Sequence, residues 1–248
     1  MTRRISVVIP AYNEALRLPG TLDRISRYAE EGNVAIAEIV VVDDGSRDRT
    51  SVVARTTKSS VPVRCVTYHP NSGKGYAVRR GAIEAAGDLV LISDADMSTP
   101  IEEVEKLLAA LDDADVAIGS RAIDRSLVQI SQPWVRDRMG RVFNWLIRRI
   151  TGLPFHDTQC GFKLLRAADA RELFAVAIVD GFAWDVELLL LAGRWDLTVT
   201  EVPVRWFNSP QSRVSIFGDP LKMLRDVVRL RLRLGRFRDS GPVVTSGS

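Results

Sequence analysis

Short, nearly continuous apolar runs alternate with longer stretches of helical periodicity through the first half of this chain. Strand-length runs lie at residues 5–9, 38–42, 63–68, 89–93 and 116–119, with amphipathic patterns between them at 18–31, 50–59, 76–86 and 101–111. Strands buried on both faces read as unbroken hydrophobic runs, and intervening helices imply crossover connections. The rhythm therefore predicts an α/β fold, an open mixed but mostly parallel sheet flanked by helices. Further on, 134–150 reads as an amphipathic helix with Val135, Met139, Val142, Leu146 and Ile150 along one face. A strand at 161–165, a helix at 185–194 and a strand at 198–204 follow. Residues 222–230 look helical, although 228–234 alternates as a strand would. No internal repeat or second core is evident. The reading is a catalytic domain over 1–210, a basic amphipathic segment over 211–239 and a disordered tail over 240–248.

In open α/β sheets the ligand crevice lies beyond the carboxyl ends of the strands, and here each strand ends in a polar cluster. They are Pro10-Ala11-Tyr12-Asn13-Glu14, Asp43-Asp44-Gly45-Ser46, Asn71-Ser72-Gly73-Lys74-Gly75, Asp94-Ala95-Asp96 and Gly119-Ser120-Arg121. The fourth is the most informative. Side chains two residues apart on extended backbone point the same way, so a turn after a buried strand can aim Asp94 and Asp96 into one volume. Two like charges held that close call for a cation, and hard oxygen ligands suit Mg²⁺ or Mn²⁺ completed by substrate phosphates. The plainer alternative is that one acid helps start the helix signalled by Ser98-Thr99-Pro100 with Glu102 and Glu103.

Composition is that of an ordinary globular protein: 248 residues, 46% hydrophobic and 26% charged. No run approaches the roughly 18–20 apolar residues that span a bilayer, and the first apolar stretch is too short for a signal sequence. The two cysteines, Cys65 and Cys160, lack metal-ligand spacing and are expected to be buried or half-buried thiols. The net charge is only +3, but 134–150 carries five arginines against Asp137, and 222–238 carries seven basic residues against Asp226. An anionic partner or surface is expected there, and nothing points to nucleic acid.

These segments, in this order, resemble the inverting family 2 glycosyltransferases of the GT-A fold. Within them the chain looks like the dolichyl-phosphate β-glucosyltransferases and their bacterial polyprenyl-phosphate relatives. The supporting stretches are Val7-Val8-Ile9-Pro10-Ala11-Tyr12-Asn13-Glu14, Val42-Asp43-Asp44-Gly45-Ser46, Ser93-Asp94-Ala95-Asp96 and Asp157-Thr158-Gln159-Cys160-Gly161-Phe162-Lys163. The resemblance covers about residues 4–210. It implies that Pro10, Tyr12, Glu14 and Asp43 or Asp44 hold the donor nucleoside. Lys74 would reach its phosphates, with Ala95 also on the donor side. It further implies that Asp94 and Asp96 bind the metal, Asp96 being the catalytic ligand, and that Arg121 and Arg136 bind the acceptor phosphate. Asp157 would orient or activate the acceptor, and Asp185, with Glu187, would sit on the sugar side. The implied reaction is hexose transfer onto a polyprenyl or dolichyl phosphate, with UDP-glucose as the favoured donor and GDP-mannose-dependent mannosyl transfer as the alternative.

The implied location is the cytoplasmic face of a membrane, touched by the two basic segments without a spanning helix; an oligomer is compatible with the chain. The Gln-x-x-Arg-Trp motif of processive synthases is absent, which argues for single transfer. Asp94-Ala95-Asp96-Met97-Ser98 also approximates the nucleophile loop of haloacid dehalogenase-type phosphatases, but that loop follows the first core strand rather than the fourth. Dinucleotide and P-loop fingerprints are missing. A nucleotide-sugar-binding subunit without catalysis is the non-enzymatic alternative, and retention of both carboxylates argues against it.

Overall fold

The computed structural model describes residues 3–130, 134–208 and 218–235, the side chains of 135, 136, 218 and 219 excepted. The expected tail and the Arg136 side chain lie outside the described residues. Strands β1 (Ile5–Ala11), β2 (Ile36–Asp44), β3 (Val63–Tyr68), β4 (Leu89–Ile92) and β5 (Val116–Ser120) fall where the apolar runs place them. β6 (Val128–Ile130) and β9 (Trp206–Phe207) form a separate two-stranded ribbon, while β7 (Lys163–Arg166) and β8 (Val199–Pro203) complete a seven-stranded sheet. Its order is β3-β2-β1-β4-β7-β5-β8, parallel except that β7 runs antiparallel to both β4 and β5.

Alternate residues of each strand enter different cores, as the period of two requires. Val8, Val40 and Val42 face one cluster with helices α3 (Lys74–Glu84), α6 (Ala167–Val176) and α7 (Trp184–Arg194). Val7, Ile9, Ile39 and Val41 face the other with α1 (Leu18–Glu31), α2 (Thr50–Thr56) and α4 (Val104–Ala110). Burial on both faces is why the runs lack polar alternation. The direction of strand order reverses between β1 and β4, which opens the crevice there.

Three local expectations are corrected. Helix α5 (Trp134–Thr151) packs through Phe143, Ile147 and Ile150, leaving Met139 and Val142 exposed, so the buried face is rotated from the expected stripe. The helix carries apolar residues on two faces, and periodicity alone does not say which meets the core. The alternating 228–234 stretch is part of helix α8 (Gly218–Leu234), because Met223, Val227 and Leu230 are the buried set at helical spacing. Pro100 precedes a 3₁₀ turn at Ile101–Glu103 without a side-chain cap, and Glu103 is buried against Arg205 and Lys106.

Candidate active site

The carboxyl ends of β1, β2 and β3 are tied together by hydrogen bonds within the protein. Asn13, in the left-handed region at φ 55°, receives a bond from Arg47 N and donates its own N–H to Ser46 Oγ (2.8 Å). Glu14 N donates to Thr50 Oγ1 at 2.7 Å. Asp43 accepts from Ser46 N at 3.0 Å, while Asp44 accepts from Asn71 Nδ2, Ser72 N and Gly73 N at 2.7–2.9 Å. Of this acidic pair, Asp44 is engaged in shaping the 71–73 turn. Pro10 and Tyr12 are half-buried at the same edge.

That turn presents Lys74 as the first residue of α3, two residues earlier than the pattern indicates. Gly73 adopts φ 108°, and a Cβ there would meet the Asp180 carbonyl at 2.3 Å, so the turn requires glycine. A cation at a helix N-terminus is unfavourable by itself. Here Lys74 Nζ sits 2.7 Å from Asp94 Oδ1. Burial opposes its charge, but Asp94, Asp185 and Asp96 outweigh burial and hold the ammonium above its ordinary pKa.

Asp94 and Asp96 both act on Lys74 and Arg17, and each has its own nearer cation. Arg17 forks onto Glu14 and reaches Asp96 Oδ2 at 3.6 Å. The second oxygen of Asp94 lies over Gly161, where a Cβ would approach to 2.3 Å. Asp96 also accepts from Ser98 N at 3.0 Å, a bond within its own turn; neither acid caps the helix that follows, whose first turn has no side-chain cap. Ala95 is buried between them, its carbonyl bound by Thr21 Oγ1. Arg17 escapes sequence reading; its only signal is the position three residues after Glu14.

The other wall depends on β7 running antiparallel, which brings its amino end, and the turn before it, to the edge where parallel strands finish. Arg121, just past β5, clasps Asp157 with Nε at 2.6 Å, an Nη at 2.9 Å and its backbone N at 3.0 Å. Its guanidinium lies 5.5 Å from the Trp206 ring centroid. Burial alone would raise the Asp157 pKa, but Arg121 outweighs it and holds the carboxyl below its ordinary range. Glu201 on β8, fully buried, accepts from His156 N (2.8 Å) and Asp157 N (2.7 Å), and Asn144 of α5 binds Thr158 Oγ1 at 3.0 Å. Cys160 is buried there, its thiol pushed up to about 11 chiefly by burial, which keeps it protonated.

Asp185 and Glu187 do not form a pair. Two residues apart on α7, they diverge by about 200°. Glu187 accepts from Ile178 N and Val179 N at 2.8–3.1 Å. Asp185 meets Lys163, whose Nζ also donates to the Cys160 carbonyl and lies 5.3 Å from the Trp184 ring centroid. Burial raises the Asp185 pKa, and Lys163 and Lys74 counter it. Lys163 and Glu201 were not foreseen as site residues, since a single charge in an apolar strand has no local signature.

The Arg121–Asp157 pair predicts a pH effect. With the folded pKa of Asp157 below the unfolded value of about 3.9, the unfolded chain takes up the proton first as pH falls. Stability then rises with pH in that window, being complete above the unfolded pKa and lost through the folded one. Arg121→Gln is expected to flatten the acid limb of stability between about pH 5 and 2, measured by urea unfolding. An unchanged limb would show that the pair contributes nothing there.

Among the described residues no group of three or more His, Cys, Asp or Glu is placed to hold a metal. The donor set does suit a hard divalent cation of the kind that needs only one or two carboxylates, because Asp94 and Asp96 are both partly exposed and both act on Lys74 and Arg17.

The sequence model described as "Glycosyl transferase family 2" matches residues 6–174. The chain is 36% identical to a mouse protein and 35% identical to a human protein, both named dolichyl-phosphate beta-glucosyltransferase. Each alignment spans 94% of this chain and 76% of the relative. The yeast protein of that name is 33% identical over 95% of this chain and 77% of its own length. Among solved structures, glucosyl-3-phosphoglycerate synthase of Mycobacterium tuberculosis superposes with a TM-score of 0.67 at 21% identity, covering 96% of this chain and 83% of that one. A second structure of that enzyme, holding Mn²⁺, UDP-glucose and phosphoglyceric acid, gives 0.66 at 22% identity over 96% and 82%. The likeness to these solved structures carries the fold alone.

Proposed function

The chain belongs to glycosyltransferase family 2, and from that premise we propose that it moves glucose from UDP-glucose onto a polyprenyl phosphate, inverting the anomeric carbon. The acceptor class follows the relatives' names. The observation that carries the reading is the paired arrangement at the sheet edge, Lys74 on Asp94 and Arg17 near Asp96. A departing nucleoside diphosphate brings negative charge into this volume. Lys74 and Arg17 can turn towards it when a divalent ion replaces them at Asp94 and Asp96. Asp94 and Asp96 would hold the divalent ion, Mg²⁺ or Mn²⁺, whose chemistry is Lewis-acid stabilisation of the diphosphate. The second neighbour's Mn²⁺ and UDP-glucose support that choice.

On the acceptor side, a phosphate monoester is already ionised near neutrality, so the nucleophilic oxygen needs little general-base help. This agrees with the state of Asp157: both oxygens lie in the Arg121 fork and its pKa is depressed, which makes it a poor base. Its role in this reading is to hold Arg121 so that the remaining N–H groups face the acceptor phosphate. Asp185 and Lys163 fix the wall behind.

The acceptor is a membrane lipid, and no helix among the described residues is long and apolar enough to cross a membrane. Exposed Trp134, Val142 and Trp145 stand among Arg138, Arg141 and Arg149 on α5, a composition suited to an interface. Asn144 of the same helix binds the acceptor turn.

Incubation with phytanyl phosphate and either UDP-glucose or GDP-mannose tests the reading. Transfer from UDP-glucose at least tenfold above GDP-mannose is expected. Chelation should abolish it, and Mg²⁺ or Mn²⁺ should restore it. Transfer from GDP-mannose alone, or full activity in chelator, would overturn the donor or the metal assignment respectively.

A further inference from the structure

We propose that the groove between residues 178–182 and helix α8 binds the headgroup of an anionic phospholipid that is not the acceptor. The groove measures about 580 Å³, within the roughly 300–1,000 Å³ typical of small-molecule sites. Lys222, Arg225, Arg229 and Arg233 line one wall, and Ile178, Phe182, Met223 and Leu230 supply apolar surface. Two carboxylates also line it. Asp226 is met by Arg225 at 3.4 Å and Arg229 at 3.7 Å, and Asp180 is paired with Arg79 at 2.6 Å, so both negative charges have partners within the fold.

The helix itself argues for a lipid over a soluble anion. At about 100° per residue, Leu221, Val228 and Leu232 project along one line of α8, and Lys222, Arg229 and Arg233 lie about 100° around from it. Met223, Val227 and Leu230 occupy the opposite, buried side. Leu221 is 72% and Leu232 82% exposed. An outward apolar ridge beside a cationic stripe matches the depth profile of a bilayer surface, with the ridge at the acyl boundary and the cations at headgroup level. Preferring a membrane lipid also rests on the proposed polyprenyl-phosphate reaction, whereas the groove geometry does not.

The groove adjoins the catalytic edge at two points. The Asp180 carbonyl accepts from Gly75 N (2.8 Å) and Tyr76 N (3.2 Å), next to Lys74. Met223 Sδ lies 3.1 Å from Gln159 Nε2, in the acceptor turn.

Calorimetric titration of the full chain, without donor, tests the site. The probes are dihexanoyl phosphatidylglycerol below its micellar concentration, dihexanoyl phosphatidylcholine and glycerol 3-phosphate. Saturable binding of the anionic lipid is expected, with the other two at least tenfold weaker. R229Q/R233Q should weaken it at least tenfold, while R27Q/R80Q, an equal charge loss on exposed helical positions, should stay within twofold. Equal binding of phosphatidylcholine, equal binding of glycerol 3-phosphate, or insensitivity to R229Q/R233Q would each overturn the proposal. So would displacement of the lipid by phytanyl phosphate with the same sensitivity to R229Q/R233Q, because the groove would then be the acceptor's path. No outcome depends on turnover, so failure of the glucosyl assay and failure of this site are separate results.

Discussion

Asp96→Asn is expected to lower kcat/KM for transfer from UDP-glucose by about 10²–10⁴, or about 3–5 kcal/mol of transition-state stabilisation. The change removes one charge and almost no volume. The amide oxygen can still accept from Ser98 N, now 3.0 Å from Asp96 Oδ1, and Arg17 keeps its fork onto Glu14, so the local fold has the bonds it needs. What is lost is one carboxylate of the acidic pair, which in the proposed function is one of the two charges that would attract a divalent ion. Unfolding should therefore stay within about 1 kcal/mol of the parent while turnover collapses, and the Mn²⁺ concentration for half-maximal rate should rise. Near-parental turnover at an unchanged metal requirement would remove Asp96 from the machinery.

Lys163→Met is expected to act on stability first. Lys163 is fully buried, and its ammonium is the cation held against Asp185 and over Trp184. Methionine keeps the stem and deletes the charge, leaving a buried carboxylate with one partner fewer, a loss of about 3–5 kcal/mol. For a chain of this size each kcal/mol shifts Tm by roughly 2–4 °C. The pH dependence has a definite sign. Burial already raises the Asp185 pKa, and losing Lys163 raises it further. The folded variant then holds a proton that the unfolded chain has released above about pH 4, so its deficit grows as pH rises towards neutrality. Lys163→Met combined with Asp185→Leu removes both charges and should recover much of the loss. A single variant as stable as the parent at pH 7 would show that the pair does not hold this wall.

Much of the frame was readable from short-range pattern. The first five strands announce themselves by continuous apolar runs, and their polar ends announce the edge. Both signals arise within about ten residues, where period and turn chemistry operate. Asp94 and Asp96 stand out in the sequence for the same reason. The missed features are those whose cause lies far along the chain. Helix α6 and the β6–β9 ribbon, which sets Trp206 against Arg121, went unread; the ribbon is too short to carry a period. The apparent acidic pair at Asp185 and Glu187 dissolved once helical geometry sent one to Lys163 and the other to the 178–179 backbone.

The division follows from the range of the forces involved. Strand and helix identity, the carboxylate pair and the concentration of basic residues in two late segments are properties of neighbouring residues, so they exist in the linear chain. Which cation answers which carboxylate is a property of the folded molecule. Inserting β7 antiparallel between β4 and β5 carries Asp157, Gly161 and Lys163 to an edge otherwise built from parallel strand ends. There Arg121 closes on Asp157 across 36 residues and Lys163 on Asp185 across 22. Charges taken out of water must find partners wherever the fold provides them, and that matching is settled by topology, not by sequence spacing.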